Sequence, residues 1–129
     1  MVKFQLPAHL KTEKEYKELI AFIKEHHITG ILFISGDRHH AELMRIKEEN
    51  LYPLYDFTTS PLTMYPVKIS KKSREYENPD KVKGTYFPSY NYGKVSVTGA
   101  SENRKCIIEL KDKKGKVIWT REIPANELR

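Results

Sequence analysis

The closing stretch "KCIIELKDKKGKVIWTREI", residues 105–123, most constrains how this chain can fold. Apolar and polar residues alternate on both sides of Asp112-Lys113-Lys114-Gly115, the period of a strand with one buried face. Asp at the first turn position and Gly where φ must be positive predict a tight hairpin. Cys106, Ile108 and Leu110 share one face of the first strand. Val117, Trp119 and Arg121 share one face of the second, and Ile118, Thr120 and Glu122 the other. Trp119 reads as core rather than as a ligand platform, and Cys106 as core rather than as a nucleophile. As the only cysteine, Cys106 can form no internal disulfide.

Further strands precede the hairpin. "GKVSVTG" alternates with Val95 and Val97 inward, and "AELMRIK" alternates weakly. In "PLYDFTTS", Leu54, Asp56 and Thr58 alternate with Tyr55, Phe57 and Thr59. "GILFIS" is apolar without alternation, which predicts a strand covered on both faces of its sheet. Before it, Thr12 and Glu15 form a capping-box start, and Tyr16, Leu19, Ile20 and Ile23 follow as one apolar helical stripe. His26 and His27 close that helix, where imidazole suits the negative end of the dipole, and Gly30 lets the chain turn.

Residues 60–92 differ in kind. Pro61, Pro66, Pro79, Pro88 and several tyrosines make a long irregular segment. It reads either as a solvated loop wrapped on the core or as a lid facing a substrate. The expected fold is α/β (α+β): one domain over residues 1–129, with a mostly antiparallel or mixed sheet, an N-terminal helix and a C-terminal β-hairpin.

With 129 residues, 39% hydrophobic and 31% charged, the chain can bury a single core. No apolar run approaches the roughly 20 residues of a membrane helix, and the N-terminus has no apolar export-signal region. No membrane association is therefore expected, and the sequence assigns no compartment. The net charge of +6 favours anionic partners. The lysines are scattered, however, and the tyrosines have no regular pattern, so nucleic-acid binding ranks last.

The chemistry concentrates in "ILFISGDRHHAEL", residues 31–43. If the chain beyond the strand stays extended, Asp37 and His39 point to the same side and can share one metal ion. Gly36 permits a sharp turn beside them. His40 points the other way, as a supporting or substrate-facing group, and Glu42 shares its parity. D-x-H alone is a short pattern, and a catalytic metal site needs three or more protein ligands.

The blocks "TGILFISGDRHHAELMRI", "LYPLYDFTTSPLT", "NPDKVKGTYFPSYNYGKVSVTG" and "LKDKKGKVIWTREI" occur in that order. Together they resemble the C-terminal portion of the alkaline phosphatase D (PhoD-like) metallophosphatases, over about residues 12–123. The resemblance implies a layered α/β/α sandwich that hydrolyses phosphomonoesters or phosphodiesters at a multinuclear centre of iron and calcium, with zinc or manganese as other metals. It implies Asp37 and His39 as metal ligands, His39 and His40 as catalytic residues, and Arg38 as a phosphate-facing group. The family's upstream D-x-H, G-D-x-x-D and G-N-H blocks have no counterpart between Met1 and Gly30. The chain is thus expected to be an incomplete phosphoesterase that self-associates or docks onto a companion carrying the missing half. The alternative expectation is a non-catalytic binding or assembly module of the same ancestry.

Overall fold

A computed structural model describes residues 13–129. Within them the chain is a mixed α+β fold: one helix and two small three-stranded sheets. The helix α1 spans Glu13–Glu25 and buries Tyr16, Ile20 and Ile23, with Leu19 packed beside them. Glu13 and Glu15 lie in its first turn and Lys24 in its last, each complementing the helix dipole. Thr12, the other half of the expected capping box, lies outside the described residues. The helix ends in a Schellman motif, in which Ile28 N donates to Ile23 O (3.0 Å) and His27 N to Lys24 O (3.3 Å). The left-handed position of that motif is His27, with φ 50°, where glycine is more usual. Gly30, with φ 77°, serves the later turn into the sheet.

The first sheet has the order β1-β3-β2. Here β1 is Leu32–Ser35, β2 is Glu42–Ile46 and β3 is Leu54–Thr58. β1 pairs parallel to β3, and β2 pairs antiparallel to it. Every residue of β3 is buried, so the strand covered on both faces is β3. The expectation for "GILFIS" is corrected accordingly. β1 is an edge strand, and Ile34 on it is 61% exposed. An unbroken apolar run reports burial of its neighbours in general, and cannot tell a central strand from an edge.

The outer edge of β2 is covered by the irregular segment. Ala41 and Phe87 exchange backbone hydrogen bonds (2.9 and 2.8 Å), Val82 N donates to Leu43 O (2.9 Å), and Arg45 N donates to Asp80 O (2.7 Å). Thr85 adds its hydroxyl, which accepts from Leu43 N (3.0 Å). Residues 80–87 thus satisfy an edge that would otherwise be open to another chain.

The second sheet is an antiparallel meander, β4-β5-β6. Its strands are Asn91–Thr98, Lys105–Asp112 and Val117–Pro124. The hairpin forms as its turn residues require. Asp112 Oδ1 accepts from Lys114 N and Lys116 N, Gly115 N donates to Asp112 O, and Gly115 has φ 86°. Ile108, Leu110, Trp119 and Ile123 form its buried face. Trp119 is core, as expected, and its indole N–H donates to Thr85 O (2.9 Å). Cys106 is half-buried on the same face, and burial raises its thiol pKa.

The sheets meet where Phe57 packs edge-on against Trp119, ring centroids 5.5 Å apart. This contact also explains a second correction. Val95 and Val97 share the register of Ile108 and Cys106, but they are 37% and 67% exposed. Strands of four or five residues cannot cover strands of eight, and the cover ends near Gly93, which faces Phe57. Among the described residues no helix is long and apolar enough to cross a membrane.

Candidate metal centre

β1 ends at Ser35, whose hydroxyl donates to the buried carboxylate of Asp56 on β3 (2.7 Å). The chain then turns through Gly36-Asp37-Arg38-His39 and enters β2. Asp37 and His39 adopt φ 63° and 59°. The turn is therefore not extended, and strand parity does not govern where these two side chains point. Two left-handed non-glycine residues in one short turn cost of order 1–3 kcal/mol each and must be held in place by their surroundings.

The holding contacts converge on His39. Its backbone N–H donates to Ser60 Oγ (3.2 Å), and its carbonyl accepts from Val67 N (2.8 Å). Its Nδ1 lies 2.7 Å from Tyr65 O, and since a carbonyl only accepts, Nδ1–H donates. That leaves Nε2 as the nitrogen with a lone pair. The Tyr65 ring packs against the imidazole at 4.8 Å. Ser60 is fastened in turn by Asn91, whose side-chain amide donates to Ser60 O and accepts from Thr59 Oγ1. The second sheet thereby anchors the turn.

Asp37, Arg38 and His40 line a cleft of about 360 Å³ with Lys68, Ser73 and Glu75. His39 is not among its lining residues. Arg38, expected to face a phosphate, forms an ion pair with Glu75. His40 is 2% exposed, and its Nε2 lies 3.4 Å from Glu42 Oε1. His40 lies two residues before β2 begins at Glu42, and the two side chains meet there. Neither ring nitrogen of His40 has a hydrogen-bond partner. Lys81 Nζ sits 3.0 Å from Glu42 Oε2, but off the line of a directed hydrogen bond, so the contact is ionic. Burial pushes the Glu42 carboxyl up, yet the contacts with His40 and Lys81 outweigh it and hold its pKa below the usual value. Lys81 also donates to Glu75 O (3.0 Å) and lies over the Tyr86 ring. Tyr86 in turn meets His40 edge-on at 5.4 Å.

Ligand atoms of His40, Glu42 and Glu75 all lie within 4.8 Å of one another. This is the one such group of three among the described residues. Glu75 and Lys81 carry no signal in the sequence, because they come from the irregular segment at no fixed spacing from the turn.

No family model matches the chain, and no curated protein and no solved structure does so either.

Proposed function

We propose that this chain is the C-terminal part of a metal-dependent phosphoesterase of the PhoD-like kind, with Asp37 and His39 as its contribution to the metal shell. The observation that carries the reading is the state of His39. A ligating histidine usually donates its other N–H to a carbonyl or carboxylate, which fixes the tautomer and aims the free nitrogen. His39 does this through Tyr65, within a strained turn next to a cleft lined by Lys68 and by Arg38, the latter paired with Glu75. A metal there would polarise a phosphoryl oxygen and acidify a bound water. In this reading Arg38 exchanges Glu75 for a substrate oxygen, and His40 lies at the cleft as the second catalytic imidazole.

Two ligands are too few for such a centre. In this reading the other ligands come from outside residues 1–129, from further sequence of the same protein or from a companion, either of which would complete the layered sandwich of the family. β1 supports this, since its outer edge pairs with no described strand and Ile34 on it is exposed. Sedimentation is expected to show self-association or docking onto that companion, and a well-folded monomer at high concentration would count against it.

The deciding assay is hydrolysis of p-nitrophenyl phosphate and bis-p-nitrophenyl phosphate with iron, calcium, zinc or manganese added, with and without the companion. Metal-dependent turnover lost in Asp37→Ala and His39→Ala is the expected result. No turnover under any of these conditions assigns the chain to the second reading, a non-catalytic binding or assembly module. One observation favours that reading: Glu75 and Glu42 already occupy the cations Arg38 and Lys81.

A further inference from the structure

The geometry points to a divalent-cation site of its own in this chain, formed by His40, Glu42 and Glu75 and separate from the Asp37–His39 pair. The three side chains come from the turn before β2 (His40), the first residue of β2 (Glu42) and the irregular segment that folds over it (Glu75). Their ligand atoms lie within 4.8 Å of one another. Around an ion with bonds of about 2.1 Å, neighbouring ligand atoms sit roughly 3–3.5 Å apart. His40 Nε2 and Glu42 Oε1 are already 3.4 Å apart, so only Glu75 has to move inward, and it lies on an irregular, part-exposed segment.

Proximity of carboxylates is not what carries the site. His40 does, because it is 2% exposed and lines the cleft, its Nδ1 has no hydrogen-bond partner, and its Nε2 has only the 3.4 Å contact with Glu42 Oε1, which is not a directed hydrogen bond. Buried polar groups are almost always bonded, and leaving one unpaired costs about 1–3 kcal/mol. Lys81 balances the charge of Glu42, but an ammonium only donates and lies against the carboxylate, leaving the imidazole unsatisfied. An ion bound through Nε2 satisfies the imidazole, and Glu42 Oε1 faces the same point. Glu42 Oε2 then remains with Lys81, and Glu75 keeps Arg38, which hold the two ligands in orientation from outside. One imidazole and two carboxylates suit a first-row ion of the zinc or manganese class. Calcium asks for six to eight oxygens and is disfavoured.

The test is calorimetric titration of the full chain, freed of metal, with Zn²⁺ alone. The expected result is one equivalent bound, with affinity reduced at least about tenfold in Glu75→Gln and in His40→Gln. Glu75 is part-exposed on an irregular segment, so Glu75→Gln should keep the fold, which circular dichroism verifies. Nitrogen-15 spectra of the wild type should show the His40 imidazole shifting on zinc addition. No binding, or binding unaffected by Glu75→Gln in a folded protein, overturns the site. Binding lost in Asp37→Asn and His39→Gln but kept in Glu75→Gln also overturns it, while leaving the phosphoesterase reading intact. Zinc binding as expected without any ester hydrolysis leaves the site standing and removes that reading.

Discussion

Phe57 occupies the space that any side chain at Gly93 would need: a Cβ there would fall 2.3 Å from Phe57 Cε1 and 2.6 Å from Cζ. Gly93 opposes Leu110 on β5 and Phe57 packs on Trp119, so this one close approach sets how the two sheets meet. Gly93→Ala is expected to destabilise by about 1–3 kcal/mol through overpacking. Phe57→Leu should relieve the clash, so the double variant should lose less than the sum of the singles. Urea denaturation of the four proteins measures the coupling, and strict additivity would disprove the contact's role.

Asp37 is exposed and holds a left-handed backbone. Asp37→Gly removes the Cβ penalty of that conformation, at some cost in unfolded-chain entropy. The expected net effect is a gain of about 0.5–1 kcal/mol in thermal or denaturant unfolding. Under the proposed function the same change removes a metal ligand, so stability and hydrolysis should move in opposite directions. A loss of stability would show that the side chain itself holds the turn.

Thr85 is fully buried and joins three parts of the fold. Its hydroxyl accepts from Leu43 N and donates to Val82 O, and its carbonyl accepts from Trp119 Nε1. Thr85→Val keeps the shape but strands the Leu43 N–H at the edge of β2. A loss of about 1–3 kcal/mol is expected. Hydrogen exchange should rise at Leu43, and unchanged protection there would refute the assignment.

Tyr16, Tyr52 and Tyr55 all have phenol pKa values raised, with burial as the leading cause. Tyr16 and Tyr55 also donate to Glu48 and Glu127 (both 2.6 Å), which further disfavours the phenolate. The unfolded chain releases these protons near pH 10 and the folded chain holds them to higher pH. Stability is therefore full below about pH 10 and falls as the pH rises from there toward the folded values. Tyr16→Phe should cost about 1 kcal/mol at neutral pH and flatten the alkaline limb. Denaturant midpoints from pH 8 to 11 read both effects.

The hairpin, the helix stripe and most strand segments were legible because each depends on nearest neighbours in sequence. Asp112 and Gly115 dictate their turn through local hydrogen bonds and a positive φ. The turn at residues 36–40 was legible as a place of chemistry but not in its geometry. The parity rule holds only for extended backbone, and the φ values of Asp37 and His39 leave that region. Val95 and Val97 alternate as core residues do, yet the opposing sheet is too short to reach them.

By itself the sequence determined the helix and most of the strands, the Asp112–Gly115 turn, and the clustering of Asp37, Arg38, His39 and His40 beyond one strand. Only the tertiary structure decided that β3 rather than β1 is central, and that Tyr65 orients His39. It also brought Glu75 and Lys81 to His40 and Glu42. The division follows range. Periodicity and turn chemistry act over a few residues, whereas strand order and the path of residues 60–90 are settled by which distant surfaces bury one another.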